Sequence, residues 1–208
     1  MFRKIAIALI SLALTVPHAN AQMKPGWVFH DELIAGLEST GDTIYIQDRK
    51  KLEKLTGLRA YDDSSVVNCK TRTGDRIHIA IERTDYVATN HASHELMTKN
   101  IIDRNNAYGV DETNPKKELK NPRIKWNQHW IAIPKDAYSN LYNPGINIEA
   151  YLSKNRKLLY VYMQGGDGAR SYSVKFVFDK THYLTRLITT NECVDEFDFL
   201  DATSGDCK

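Results

Sequence analysis

Cysteine is scarce in this chain, net charge is nearly absent, and no apolar run beyond the first 21 residues is long enough to span a membrane. Three cysteines, Cys69, Cys193 and Cys207, permit one disulfide and leave one thiol over. Cys193 and Cys207 flank a loop-like segment and are the expected pair, closing a loop worth about 3 kcal/mol in the chain-entropy picture. Cys69 falls within a strand pattern, away from any helix N-terminus that would activate it, so it is expected to be a free, unreactive thiol. Of the 28 basic residues, Arg3 and Lys4 lie in the first 21 positions, where no acid occurs; the remainder balances at 26 against 26. A chain with that balance lacks the phosphate-neutralising surplus on which general nucleic-acid affinity rests, so no nucleic-acid partner is expected.

Catalytic motifs are missing as well. No GxSxG elbow occurs, and Gly165-Gly166-Asp167-Gly168 lacks the GKS/T ending of a phosphate loop and precedes a strand. The acids near the C-terminus lack the DxDxDG order of a calcium loop. No cofactor is expected.

What is there begins with an export pattern. Met1-Phe2-Arg3-Lys4 is a basic start, Ile5 to Val16 is largely apolar, and Ala19-Asn20-Ala21 offers small residues at −3 and −1 of a cleavage site. The apolar stretch falls short of the roughly 20 residues of a spanning helix. Residues 1–21 are therefore expected to be a signal peptide. Residues 22–208 would then form a single periplasmic domain starting at Gln22, without membrane insertion.

The segment 157–190 organises that domain. LLYVYM, SYSVKFVF and YLTRLITT read as successive strands, and Gly165, Gly166 and Gly168 mark the first reversal. Tyr172, Val174, Phe176 and Phe178 alternate with Ser173 and Lys175, the pattern of a half-buried antiparallel strand. A second hairpin pairs Ser65–Thr71 with Arg76–Glu82, in which Ile77, Ile79 and Ile81 face away from Arg76, His78 and Ala80. Helices are expected over 31–38, over 48–55 with Asp48 as cap and Gly57 as stop, and over 90–106, where Ala92, Leu96, Met97 and Ile101 share a face. Residues 43–46 and 126–133 read as strands, and 108–123, with two prolines, as a long loop. The expected fold is α+β, a mainly antiparallel meander sheet carrying two or three packed helices.

Three regions are candidates for function. His91, His94 and Glu95, in the order HxxHE, would place two histidines on one helical face as zinc ligands, with His78, His129 or a carboxylate as the third. Zinc hydrolases carry HExxH or HxxEH instead, so polar residues at a helix start are the simpler account. The hairpin tip offers Asp167 and Arg170 for recognition. Residues 191–206 hold Glu192, Asp195, Glu196, Asp198, Asp201 and Asp206 with no base, a face for a basic partner.

The turn Gly166-Asp167-Gly168-Ala169-Arg170 resembles the Ser-Gly-x-Gly-Ala-Lys/Arg-Tyr loop that bacterial periplasmic lysozyme inhibitors insert into lysozyme. Gly165 stands where they have serine, the match is confined to this turn, and the mature chain is much longer than those small barrels. The function expected first is thus non-catalytic binding of another protein, in the manner of an immunity or inhibitor protein. Its target would be a cell-wall-active toxin or lysozyme, met by Asp167, Arg170, Asp195, Glu196 and Asp198. A metal-dependent hydrolase using His91, His94 and Glu95 is the alternative, and a small-ligand carrier with its cavity under the 108–123 loop is a third.

Overall fold

The computed structural model describes residues 49, 52–96, 99–110, 114–166 and 170–189. Among them 58% are strand and 6% helical, and no helix reaches seven residues. The α+β expectation with two or three packed helices is overturned: the protein is mostly β, built of three antiparallel sheets. No helix of the described residues is long and apolar enough to cross a membrane.

The described residues form thirteen strands: β1 (Glu53–Lys54), β2 (Leu58–Tyr61), β3 (Ser64–Lys70), β4 (Arg76–Asp85), β5 (Ser93–Leu96), β6 (Lys99–Ile102), β7 (Asn105–Asn106), β8 (Lys117–Trp126), β9 (His129–Ile131), β10 (Pro144–Leu152), β11 (Leu159–Gly165), β12 (Tyr172–Phe178) and β13 (Tyr183–Thr189). Sheet A has the order β1-β10-β11-β12-β13 and sheet B the order β2-β3-β4-β8-β9; β5, β6 and β7 form a small third sheet. Sheets A and B share one core. Val67, Ile77, Ile79, Ile81, Ile124 and Trp126 from sheet B meet Ile148, Leu159, Val161, Val174, Phe176 and Phe178 from sheet A. Alternation along each strand places these side chains on one face, and burying such a face is the main favourable term.

The meander of β11, β12 and β13 and the β3–β4 hairpin lie where the sequence puts them. Gly166, at φ +77°, takes up the left-handed conformation that the reversal after β11 requires. The strand β12 departs from the half-buried expectation, because all seven of its residues are buried. Ser173, Lys175 and Val177 face away from the shared core, and Val177 joins Tyr151, Tyr160, Tyr162 and Leu187 in a second cluster.

Three expected elements are replaced. Where the helix over 48–55 was expected, the described residues 52–55 hold β1, in which Glu53 and Lys54 pair with Leu152 and Tyr151; the expected cap Asp48 lies outside the described residues. Leu52 then packs on the second cluster and Leu55 in the shared core, so their spacing serves two layers instead of one helix face. The helix over 90–106 is instead the small sheet, in which β6 returns into β7 through Asp103 and Arg104, both at positive φ (52° and 65°). The long loop 108–123 is in large part β8. That strand survives Pro122 through a bulge: Ala80 opposes Arg123 and Glu82 opposes Lys120, so Asn121 and Pro122 together face Ile81. A bulge leaves a residue out of the ladder, and there the missing N–H of proline costs no hydrogen bond. The strand expected over 126–133 is broken at Asn127 into the end of β8 and β9. The segments 1–21, 31–38 and 43–46 lie outside the described residues.

Candidate binding surface

The outer face of sheet B is the most distinctive surface the described residues present. Inward positions on β4 are Ile77, Ile79 and Ile81, so the intervening His78, Ala80 and Glu82 must look outward. Register then builds rows across the sheet. Asn68, His78, Lys125 and Trp130 stand directly opposite one another on β3, β4, β8 and β9. The next row is Arg59, Val66, Ala80 and Arg123, and beyond the bulge Tyr61 and Ser64 continue to Glu82 and Lys120. Five strands at about 4.8 Å spacing make a face about 19 Å across.

Its chemistry is aromatic and basic. Trp130 is 52% exposed and Tyr61 53%, unusual for such large rings. Lys125 Nζ lies 5.3 Å from the centre of the Trp130 ring, and His78 meets the same ring edge-on at 5.8 Å. His78 Nδ1–H donates to Asn68 Oδ1 at 2.7 Å, which orients the imidazole. Among the described residues, Arg59, Lys120, Arg123 and Lys125 share this face with two carboxylates, Glu82, paired with Arg123, and Glu118, opposite Thr84 and held by His91. Burial first, then the charges of Arg123 and Lys125, hold the His78 imidazole below its ordinary range. A chain whose formal net charge is only +2 thus carries a locally positive face, and the local field, not the net charge, is what a partner meets.

The residues expected to carry function are scattered. His91 follows a short 3-10 turn, Ala88–Asn90, and is held from both sides: Nδ1 bonds Asp103 Oδ2 at 2.7 Å and Nε2 bonds Glu118 Oε2 at 3.1 Å. Its ring stacks on Tyr86 with centroids 4.7 Å apart. Both nitrogens are therefore occupied in tying the small sheet to β8. His94 and Glu95 fall on β5, so the helical face that would have joined them to His91 does not exist. His78 and His129 lie on sheet B, and His129 Nε2–H donates to Thr181 O at 3.1 Å. Among the described residues no three His, Cys, Asp or Glu side chains are grouped to hold a metal ion.

Cys69 carries a free thiol, half-buried on β3, and burial raises its pKa while a hydrogen bond from the Thr56 backbone works against that rise. Arg170 is exposed just ahead of β12. Asp167, Asp195, Glu196, Asp198, Cys193 and Cys207 lie outside the described residues.

Comparison with family models, with curated proteins and with solved structures finds no match.

This face was half visible in the sequence. The alternation RIHIAIE exposes His78, but Lys125 and Trp130 belong to strands on opposite sides of a turn at Asn127, which carries no glycine or proline. The alternation Arg123-Ile124-Lys125-Trp126, basic outward and apolar inward, was the signal available.

Proposed function

We propose that this is an exported, periplasmic, non-catalytic binding protein whose partner is another protein, one that presents an acidic patch to the outer face of sheet B. The row Asn68–His78–Lys125–Trp130, with an exposed indole above a lysine, is the observation that carries this reading. Trp, Tyr and Arg dominate binding energy at protein interfaces, and Trp130, Tyr61, Arg59 and Arg123 bring these types to one face. An immunity or inhibitor role fits such a surface when the target is acidic there. A basic lysozyme would instead have to be met by Asp195, Glu196 and Asp198. The export pattern of residues 1–21 supports the periplasmic location.

Affinity capture from periplasmic extract tests the reading. The mature protein should retain an acidic protein at low salt and release it as salt rises, because the Debye length shrinks from about 10 Å at 0.1 M to about 3 Å at 1 M. Arg123→Glu with Lys125→Glu should slow association about tenfold or more, and Trp130→Ala should weaken binding about 30-fold through faster dissociation. A partner bound equally well by the charge-reversed protein would place the contact elsewhere.

A further inference from the structure

Arg186 brings a positive charge toward the inside of the molecule without a carboxylate to meet it. On β13 it stands directly opposite Phe176, whose ring lies in the shared core, so the two side chains leave the same face of sheet A. Arg186 is half-buried there. Its Nη1 donates to Ala137 O and to Asn140 Oδ1, each at 2.8 Å. Both hydrogens of that nitrogen are thus given to neutral acceptors, and the guanidinium is fixed against the segment 137–140. The side chain makes no other hydrogen bond and no ion pair. Nε and Nη2 are nevertheless not sealed in: the buried side-chain atoms left without a partner among the described residues belong to Trp126, Arg156, Tyr172 and Ser173. Three of the five guanidinium N–H groups therefore stay open to a ligand. Nε–H and one Nη2–H among them point the same way, the parallel pair with which arginine holds both oxygens of a carboxylate. Burial works against the charge of Arg186, and the groups near enough to support it are Tyr183, Tyr108, Asp136 and Tyr172. Asp136 is the one carboxylate of the four, exposed on the 3-10 turn Lys135–Ala137 and outside ion-pair contact.

We propose that Arg186 binds the carboxylate of a small monocarboxylic acid, the two oxygens accepting from Nε–H and Nη2–H. The bonds of Nη1 hold the guanidinium in place beforehand, so little side-chain freedom is lost on binding. Charge selects the ligand. The site offers one cation with Asp136 nearby, which matches a single negative charge and disfavours the nearly double charge of phosphate. None of the groups around Arg186 belongs to the outer face of sheet B, so this inference stands apart from the protein-binding reading.

The test uses acetate as probe, with acetamide and inorganic phosphate as comparisons. Binding is read by heteronuclear NMR from the Arg186 Nε–H signal and from the Leu187 backbone amide. Acetate should move the Nε–H signal saturably, with a Kd on the order of millimolar, and bind more tightly than phosphate. Acetamide, uncharged and of the same shape, should leave the signal in place. Asp136→Asn, at an exposed position, removes a repelling charge and should tighten acetate about threefold. Arg186→Lys keeps the charge and loses the fork, so acetate read at Leu187 should weaken about tenfold. The acetamide and Asp136→Asn arms decide the matter even where Arg186→Lys does not fold. No saturable movement at tens of millimolar acetate, an equal response to acetamide, or acetate affinity unchanged by Asp136→Asn would overturn the site. Phosphate bound as tightly as acetate would overturn the carboxylate assignment. The Trp130→Ala protein should bind acetate normally, so failure here and failure of the sheet B reading are told apart.

Discussion

Replacing Lys175 with glutamate is expected to leave a protein that does not fold. Lys175 is fully buried in the middle of β12, with its ammonium 4.7 Å from the Tyr160 ring centre and 5.2 Å from that of Tyr162. The negative faces of two rings favour a cation there and oppose an anion. A buried carboxylate among them costs several kcal/mol, comparable with the whole stability of a domain, about 5–15 kcal/mol. Register worsens the case: Glu149, Tyr162 and Lys175 are successive neighbours across β10, β11 and β12, so the new charge would face Glu149 from two strands away. Lys175→Met keeps the length of the side chain and its burial and introduces no anion, so it should fold, with a loss of about 2 kcal/mol that includes the cation–π attraction. Urea unfolding of the two variants decides the matter. A Lys175→Glu protein with a wild-type midpoint would show that the site is not closed to solvent.

The second large effect is expected at Gly109. Its φ of +79° lies in the left-handed region, and a Cβ built there would sit 2.3 Å from Tyr142 O and 2.6 Å from Tyr172 Cε1. Neither neighbour has room to yield. Tyr142 is tied through its backbone N–H to Tyr108 O at 3.0 Å, and Tyr172 is almost wholly buried. Gly109→Ala combines the left-handed penalty, about 1–2 kcal/mol, with overpacking, about 1–3 kcal/mol, so a loss of about 3 kcal/mol is expected. Urea unfolding measures this too. A loss below about 1 kcal/mol would mean that the segment joining β7 to β8 adjusts freely.

Where the sequence was legible, two signals agreed. In the β11–β12 and β3–β4 hairpins period-2 alternation is bounded by glycine-bearing turns, and Asp179-Lys180-Thr181-His182 marks the reversal into β13, so pattern and punctuation select the same structure. Where it misled, the turn chemistry was hidden. The β6–β7 reversal uses Asp103 and Arg104 at positive φ, positions that Asn-Gly usually fills, and without that punctuation the apolar spacing over 90–106 looked helical. Pro122 argued against a strand that a bulge in fact accommodates. Lys175 read as solvent-facing because alternation reports which face a residue is on, not whether that face is covered. The candidate surface was harder still, since Asn68, His78, Lys125 and Trp130 become a row only once four strands are in register.

Site-specific photocross-linking tests the central claim most directly. A benzophenone side chain at position 130, on the sheet B face, is compared with one at Leu184, an exposed position on β13 of the other sheet. After irradiation of cells exporting the protein, position 130 should yield a discrete adduct with an acidic protein. That adduct should disappear when Arg123 and Lys125 are reversed to glutamate, and position 184 should yield none. An adduct formed from 184 and not from 130 would contradict the account, as would one from 130 that survives the charge reversal.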